Sequence, residues 1–416
     1  MGAETRYRHF VSIAAGRTRI VVGTRSAAYA PLNNIGLIVV VDEGNGAHRD
    51  KRSPYATTLD IALARATIIN EDPARKVRLL RLTYPPRLEV TPREIERIGP
   101  WPKISSADMW VGDQRGILPQ AAFSVITDGL TTGPVLLSAP RPGYVPALVC
   151  QSCNARAVCT QCATPLAVPA PGSPPACPSC GHGSWRCTTC SGEKLRAMRR
   201  GSERLGQELA RAFPNVPVDV IRSAEEPSTG TLVIATPGAE PHRQFATSIV
   251  LEPATALASL ALDAEGQALR HWASVASRTT DHLLLAGIVP PRLVAALERR
   301  TLPWTADDRA EREHLAQPPY HRWFRISGER QDVQELLGRT ALAIDAPRAT
   351  ASLADMLAGG GAQVFAPGVF LVGPTPDGTG ISVMLHERYP ASRLVAGLHE
   401  GLSTRLRVRV EADPVL

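Results

Sequence analysis

Outside one stretch of 41 residues the chain of 416 contains no cysteine. A secreted protein held by disulfides would scatter them, so this confinement points to metal ligands in a reducing cytosol. Lysine is scarce as well: Lys51, Lys76, Lys103 and Lys194 are the only four. None follows a glycine and no GxxxxGK[ST] occurs, which excludes a phosphate-cradling P-loop with its lysine. No apolar run reaches the ~18 residues that a membrane helix needs. The opening MGAETRYRHF is too polar for a signal peptide, so a cytoplasmic protein without membrane contact is expected.

What is present is the balance of a folded protein, 44% hydrophobic with 20% charged residues. The length allows two or three domains with cores of their own. The 36 prolines and 33 glycines predict many loops and irregular connections. The formal charge of +7 suits an anionic partner such as nucleic acid, although basicity alone gives only non-specific attraction. Arginine, which supplies almost all of it, grips phosphate bidentately. The same excess is what a GC-rich genome produces.

Along the chain, RTRIVVGTRSAAYAP reads as extended. Ile38 to Val41 form a continuous apolar stretch followed by Asp42 and Glu43. A buried parallel strand ending at a functional loop of an α/β sheet reads this way; acidic residues at such a point also simply cap a loop or the next helix. Thr57 to Ala66 predicts a helix and RKVRLLRLTY a strand, while residues 86 to 118 carry few periodic signals. AAFSVIT and GPVLLSAP read as strands. Beyond the cysteines, Leu205, Leu209, Ala212 and Phe213 share one helical face, and Val216 to Ile221, TLVIATP and SIVLEP follow as strands. That order implies a parallel α/β lobe into which the cysteine module is inserted, or at whose edge it lies. Residues 264 to 300 read as helices. PPYHRWFRISG, VFLVGPTP, ISVMLHE and RLRVRVEADP are strand-like, with helices near 330 to 342 and 391 to 402, giving a closing α+β domain.

The cysteines run Cys150-x2-Cys153-x5-Cys159-x2-Cys162-x14-Cys177-x2-Cys180-x6-Cys187-x2-Cys190. Each CxxC lets both sulfurs of a tight turn reach one ion, and four pairs make two closed four-thiolate zinc sites, saturated and hence structural. Metal binding then supplies folding free energy to a segment (VPAPGSPPACPSCGHG) with little core of its own. His182 is left as a loop residue. Spacing does not fix which pairs share an ion; a nested arrangement brings the chain ends close and suits an insertion.

Several stretches, in order, resemble the replication restart family PriA, also called primosomal protein N′. IVVGTRSAAYAPLNNIGLIVVVDEGN is similar to the family's run from its GTRSA motif into the DEEH box. RPGYVPALVC leads into CxxC spacings like the family's paired zinc sites. RRGSERLGQELARAFPNVPV resembles the helix that follows them, and QPPY, Val372-Gly373-Pro374 and VEADP resemble signatures of its C-terminal domain. The eight-cysteine block is the most specific part of a resemblance that spans most of the chain.

The resemblance implies a superfamily-2 helicase derivative that recognises abandoned forks and reloads the replicative helicase. Its fold would be remnants of two RecA-like lobes, an inserted two-zinc module and a C-terminal α+β domain. The expected bounds are 1–125 for a partial first lobe and 126–149 for the start of the second. The zinc module would cover 150–190, the degenerate remainder of the second lobe 191–305, and the closing domain 306–416. The family's nested pairing, carried over, gives Cys150, Cys153, Cys187 and Cys190 one zinc ion, and Cys159, Cys162, Cys177 and Cys180 the other. Implied partners are fork and single-stranded DNA, primosome proteins, the replicative helicase and single-stranded-DNA-binding protein.

Asp42 and Glu43 match the first two acids of DEEH, but Gly44 and Asn45 stand where the second glutamate and the histidine belong. Ser274 to Arg278 stands for QVAGR, and the second arginine position is Asp281. The lysine-glycine-histidine-aspartate run is missing from TLVIATPGAEP. The family's N-terminal DNA-binding and winged-helix regions and its Walker A half would lie upstream. Lost stabilisation of the γ-phosphate worth ~4 kcal/mol slows hydrolysis about a thousandfold, so ATP and magnesium binding is not expected, and a scaffold is. Two alternatives are an active 3′-5′ helicase with motifs in an upstream extension, and a zinc-ribbon regulator of nucleic acid. Lys194, Arg196, Arg199, Arg200 and Arg204 could line a DNA path through phosphate contacts or form a solvated helix face. Tyr144 and Trp185 could stack on unpaired bases, although packing against a zinc knuckle is the favoured reading for Trp185.

Overall fold

The computed structural model describes residues 2–86, 88, 99–107, 118, 120–140, 147–153, 155, 157–161, 166, 168, 174–177, 180–198, 202–257, 261–359, 361–377, 380–389, 391–402 and 405–413. The chain divides into two compact units, one of Met1–Ile95 with Trp304–Leu416, the other of Glu96–Pro303.

The first unit opens with helix α1 (Ala3–Ala14), strand β1 (Leu37–Val41), helix α2 (Thr58–Asn70) and strand β2 (Arg78–Leu82). A capping box starts α2: Thr57 accepts from the Asp60 amide while Asp60 accepts from that of Thr57. β1 and β2 pair in parallel as a two-stranded sheet. The expected buried strand is corrected here, because only Val40 is buried while Leu37, Val39 and Val41 are 56%, 45% and 60% exposed. α2 packs against this pair, and the alternate residues turn the other way. RTRIVVGTRSAAYAP is likewise not a strand. Ile20 and Val22 lie exposed ahead of a single 3-10 turn at Arg25–Tyr29.

The second unit is a six-stranded, wholly parallel sheet. In chain order it comprises β3 (Lys103–Ala107), α3 (Gln120–Thr132), β4 (Val135–Ser138), the antiparallel ribbon of β5 (Ala147–Cys150) and β6 (Leu195–Met198), α4 (Ser202–Ala212), β7 (Val218–Ile221), β8 (Leu232–Ala235), β9 (Phe245–Leu251), α5 (Ala254–Leu257), α6 (Ala264–Ala276), β10 (Thr279–Ala286) and α7 (Pro291–Arg299). The sheet order is β3-β10-β9-β4-β8-β7. Every residue of β4, β8 and β9 is buried, as central parallel strands require. Ala122 and Ile126 of α3 and Leu205 and Leu209 of α4 share a core with Leu137, Ile234 and Ile249. Helix α6 packs on β9 and β10, and α7 on β3.

Three expectations change. AAFSVIT lies in α3, because Ala122 and Ile126, one helical turn apart, face the sheet. Its β-branched and aromatic residues suggest a strand, but tertiary packing overrides that local preference. Between 264 and 300 stands the strand β10, with buried Leu283 to Ala286. β3 pairs with β10, so segment 96–125 belongs to this unit instead of with the first 95 residues. An edge strand with one buried residue, Ile104, carries too little pattern to be seen beforehand.

The first unit resumes with α8 (Ala306–His314), β11 (His321–Gly328), α9 (Arg330–Ala343), α10 (Pro347–Gly359), β12 (Ala362–Ala366), β13 (Val369–Asp377), β14 (Gly380–Arg388), α11 (Ser392–Gly401) and β15 (Val408–Ala412). Its sheet is antiparallel, ordered β12-β13-β14-β11-β15. Leu336, Leu337, Leu353, Leu394 and Leu398 from the helices pack on Phe324, Ile326, Leu371, Val383 and Leu385. Gly397 and Gly401 let α11 approach α9 closely; a Cβ at 397 would stand 2.4 Å from Ile344 Cγ2. Helix α10 lies in a stretch where the sequence suggests no element.

In the second unit, β4, the loop after β8 and α6 are tied by a buried carboxylate. Glu240 Oε1 accepts from the Ser138 hydroxyl at 2.8 Å and contacts His271 Nε2 at 2.8 Å, while Oε2 accepts from the Gly238 amide at 2.7 Å. Burial raises its carboxyl pKa, but the His271 bond and charge and the Ser138 bond together hold it below the ordinary value. A depressed carboxyl stabilises the fold above its unfolded pKa and ceases to do so as pH falls through the folded one. Glu240→Ala therefore destabilises by about 2–4 kcal/mol at pH 7. In urea unfolding, the gap to wild type narrows once the pH drops well below 4.5.

Candidate metal centre

Residues 139–201 leave the parallel sheet after β4 and return to α4, and the ribbon β5–β6 closes that excursion at its root. Cys150 ends β5 opposite Leu195, and the Gln151 amide donates to Lys194 O at 2.9 Å. The two ends of the module thus lie side by side, the arrangement of an insertion.

Three CxxC turns repeat one local geometry. The amides of Cys150, Cys177 and Cys187 donate to the carbonyls five residues on, Ala155, His182 and Gly192, at 2.8, 2.9 and 2.9 Å. Gly181 and Ser191 donate back to Cys177 O and Cys187 O, each at 2.9 Å and each with positive φ. The turn folds both sulfurs to one side. Gly192 leaves room for the sulfurs there: a Cβ would lie tightly, 3.2 Å from Cys150 Sγ and 3.3 Å from Cys190 Sγ.

The sulfurs of Cys150, Cys153, Cys187 and Cys190 all lie within 4.8 Å of one another. Those of Cys159, Cys177 and Cys180 form a second group, and Cys162 lies outside the described residues. Cys150 and Cys190 sulfurs are 3.5 Å apart, as are those of Cys153 and Cys187, and Cys159 and Cys180 are separated by 3.6 Å. These distances exceed the ~2.05 Å of a disulfide. They approach the edge of about 3.8 Å that four sulfurs ~2.3 Å from a zinc ion would share. Both groups could hold a metal ion, and an all-thiolate donor set suits zinc.

The thiols are electrostatically unequal. Burial pushes Cys187 up, but the amides of Cys190 and Thr189 and hydrogen bonds from Cys153 and Cys190 outweigh it and bring the thiol down to about 6. For Cys190 the Gly192 amide favours the thiolate, yet bonding to Cys153 and Cys150, with burial, pushes it up to about 12. A second negative charge in this cluster is costly unless a cation enters. A small core of Leu148, Ala157, Leu166, Cys159 and Cys177 backs the second group, with Trp185 packed against it. His182 Nε2 faces the Ser184 hydroxyl at 2.8 Å.

The remaining candidate residues are not gathered at the sulfurs. Asp42 has a left-handed backbone, φ 52°, and its Oδ2 accepts from the Asn45 side chain at 3.1 Å. Glu43, its side chain 1% exposed, is gripped by Arg81 through Nε and Nη2, both at 2.6 Å. Arg81 was not foreseen, because only the pairing of β1 with β2 brings it to the loop. The Glu240–His271–Ser138 cluster was not foreseen either, its members lying on three separated segments. One imidazole nitrogen, Nε2, contacts both Glu240 and Ser138, so this is a structural clasp, not a charge-relay arrangement. Arg278 donates to Ser274 O and Oγ at 2.8 and 2.7 Å and contacts His242 Nδ1 at 3.2 Å.

No protein-family model matches the chain. It is 30% identical over 468 aligned residues to the probable replication restart protein PriA of Mycobacterium tuberculosis strain H37Rv, covering all of this chain and 68% of that one. It belongs to the PriA family. The probable PriA of Mycobacterium leprae is 28% identical over 455 residues with the same coverage, and that of Bacillus subtilis is 24% identical over 231 residues, 51% of this chain and 28% of its own.

Of the basic residues suggested as a PriA DNA path, Lys194 is exposed beside the thiol cluster, and Arg196 sits in β6 opposite Val149. Arg199, Arg200 and Tyr144 lie outside the described residues, as does the side chain of Arg204. Among the described residues no helix is long and apolar enough to cross a membrane.

Cobalt(II) offered to the metal-stripped chain should give thiolate-to-metal absorption at neutral pH, reduced by about half in Cys187→Ser. Because bound thiolates exchange for protons, the absorption fades on acidification and returns on neutralisation. An unchanged spectrum in Cys187→Ser would refute the four-sulfur centre.

Proposed function

We propose that this chain is a replication restart protein that binds branched or single-stranded fork DNA and helps reload the replicative helicase, acting as a scaffold without motor activity. The observation that carries the reading is the match to mycobacterial PriA across the whole chain. Two zinc ions serve it, one on Cys150, Cys153, Cys187 and Cys190, the other on Cys159, Cys162, Cys177 and Cys180. The parallel sheet of the second unit is read as a degenerate RecA-like lobe, and β1, β2 and α2 as the remnant of another.

The loss of motor activity is supported by what the surviving acids do. A magnesium ion on a nucleotide needs a carboxylate with lone pairs to spare. Glu43 has both oxygens on Arg81, and Asp42 is bonded to Asn45. Arg278, where the family has an arginine, is held by Ser274 and His242. No lysine loop stands in the sequence to replace them.

The partners are fork DNA, primosome proteins and single-stranded-DNA-binding protein, in the cytoplasm at the nucleoid. Phosphate contacts supply the DNA affinity, so it falls steeply with salt and shows little sequence preference. The test is a fork-DNA binding titration run beside an ATPase assay on the same preparation. Binding without turnover above background is the expected outcome. Turnover at ordinary helicase rates would instead establish the active-motor reading.

A further inference from the structure

How a thiol cluster meets an oxidant depends on which sulfur faces solvent and which stands behind it. In the group of four, Cys190 is exposed and Cys153 half-buried, while Cys150 and Cys187 are buried. Sulfur contacts run across the two turns: Cys190 meets Cys150, and Cys153 meets Cys187, both at 3.5 Å. Each contact therefore sets a more accessible sulfur against a buried one. The second group repeats the pattern, with exposed Cys180 lying 3.6 Å from buried Cys159.

The frame that brings Cys190 to Cys150 is made of backbone. The Cys150 amide donates to Ala155 O, the Cys187 amide to Gly192 O and the Ser191 amide to Cys187 O, so both turns are closed by their own peptide groups. The Gln151 amide, bonded to Lys194 O, ties them to the root of the β5–β6 ribbon, where Cys150 stands opposite Leu195. None of these bonds passes through an ion. The turns can therefore keep their sulfurs gathered while the ligands around a metal change.

We propose that Cys190 is a peroxide-sensitive modification site of the metal-loaded chain, resolved by Cys150 into a disulfide that joins the two turns and releases the ion. Coordination keeps the Cys190 sulfur as the thiolate, the form that attacks a peroxide. Its sulfur bonds to one peroxide oxygen as the O–O bond breaks, and the departing hydroxide takes up a proton to become water. The Cys150 thiolate then attacks the sulfenic sulfur of Cys190; the S–S bond forms, the S–O bond breaks, and a second hydroxide leaves as water. The two sulfurs together give two electrons to the peroxide. Cys153 and Cys187 remain, two ligands where a closed site has four, so the ion dissociates. Because the new bond spans the same two turns that the ion joined, the root of the ribbon stays tied, and a dithiol with zinc restores the starting state. The proposal rests on the reading of this group as a zinc centre and adds how its exposed ligand answers an oxidant.

The test uses the full chain, loaded with zinc and freed of reductant, with its zinc content measured first. Hydrogen peroxide is added, a chromogenic chelator reports the zinc released, and the remaining thiols are alkylated for non-reducing peptide mass spectrometry. Fragment ions should place the first disulfide of this group between Cys150 and Cys190, forming at the rate at which zinc leaves, and dithiothreitol with zinc should reverse both. In Cys190→His an imidazole keeps a zinc ligand but offers no sulfur to oxidise, so the zinc released over the same time should fall by about one ion per chain. If that variant holds no metal, the wild-type disulfide map decides alone. Zinc that stays bound under peroxide, or a first link within one turn or between Cys153 and Cys187, overturns the proposal and leaves the metal centre standing. Unchanged release from a zinc-loaded Cys190→His chain, or a sulfinic acid at Cys190 without any link, overturns it too. A wild-type chain that holds no zinc even after loading sinks the zinc reading instead.

Discussion

Four sulfurs held within 4.8 Å of one another cannot all be ionised without a cation among them. That constraint governs the module between β4 and α4. Its apolar core is small, and its turns are fixed by amide-to-carbonyl bonds that repeat at Cys150, Cys177 and Cys187. Those bonds aim the sulfurs but bury little surface. Convergence on a metal would supply the missing free energy, and the ribbon β5–β6 would transmit the resulting rigidity to the sheet. The strand that precedes the ribbon, β4, is buried along its whole length. The module thus enters the chain after a fully buried central strand of the second unit.

Carboxylates elsewhere show how acidic groups can be kept without serving a nucleotide. Glu240 is clasped by a hydroxyl, an imidazole and an amide, and Glu43 by a bidentate guanidinium. For Glu240 the donors outweigh the cost of burial. A carboxylate so bound offers little to magnesium, because recruiting it would first strip away partners in a poorly hydrated site. In one unit the clasp fastens a loop to β2; in the other it fastens β4 to α6. In both units the buried carboxylate acts as a joint between elements.

What could be read in advance depended on whether the signal was local. CxxC spacing is a local property of a turn, so the gathering of the cysteines into groups that could hold a metal ion was legible in the chain alone. Continuous apolar runs such as TLVIA and SIVL marked central parallel strands for the same reason. The apolar run at Ile38–Val41 misled, since a run shows that residues are apolar but not that anything covers them. Among the described residues, twelve of the seventeen large exposed hydrophobics, from Tyr7 to Leu80, lie in the first 80 positions. AAFSVIT misled in the other direction, its strand-forming residues being folded into a helix by the contacts of Ala122 and Ile126. The Trp323–His386–Phe370 row was out of reach altogether. It exists only once three strands, which carry Trp323, Phe370 and His386, have found their register.

The charge argument also looks different in three dimensions. A net +7 carried almost wholly by arginine invites a nucleic-acid surface, yet many guanidinium groups are spent inside the protein. Arg65 donates to the carbonyls of Ala28 and Ala30, Arg243 to those of Ser228 and Gly230, Arg393 to that of Ile344. Arg322 is buried against Tyr55 O and Asp413, its guanidinium over the Phe324 ring. A planar fork with five donors suits this work, since it can satisfy two carbonyls of an irregular loop at once. Lysine, a point charge with a stronger hydration shell, would do it poorly. In a chain rich in proline and glycine, arginine thus replaces part of the hydrogen bonding that regular structure would have given. The exposed positive charge is smaller than composition suggests, and positions such as Lys194, Arg407 and Arg409 carry a larger share of it.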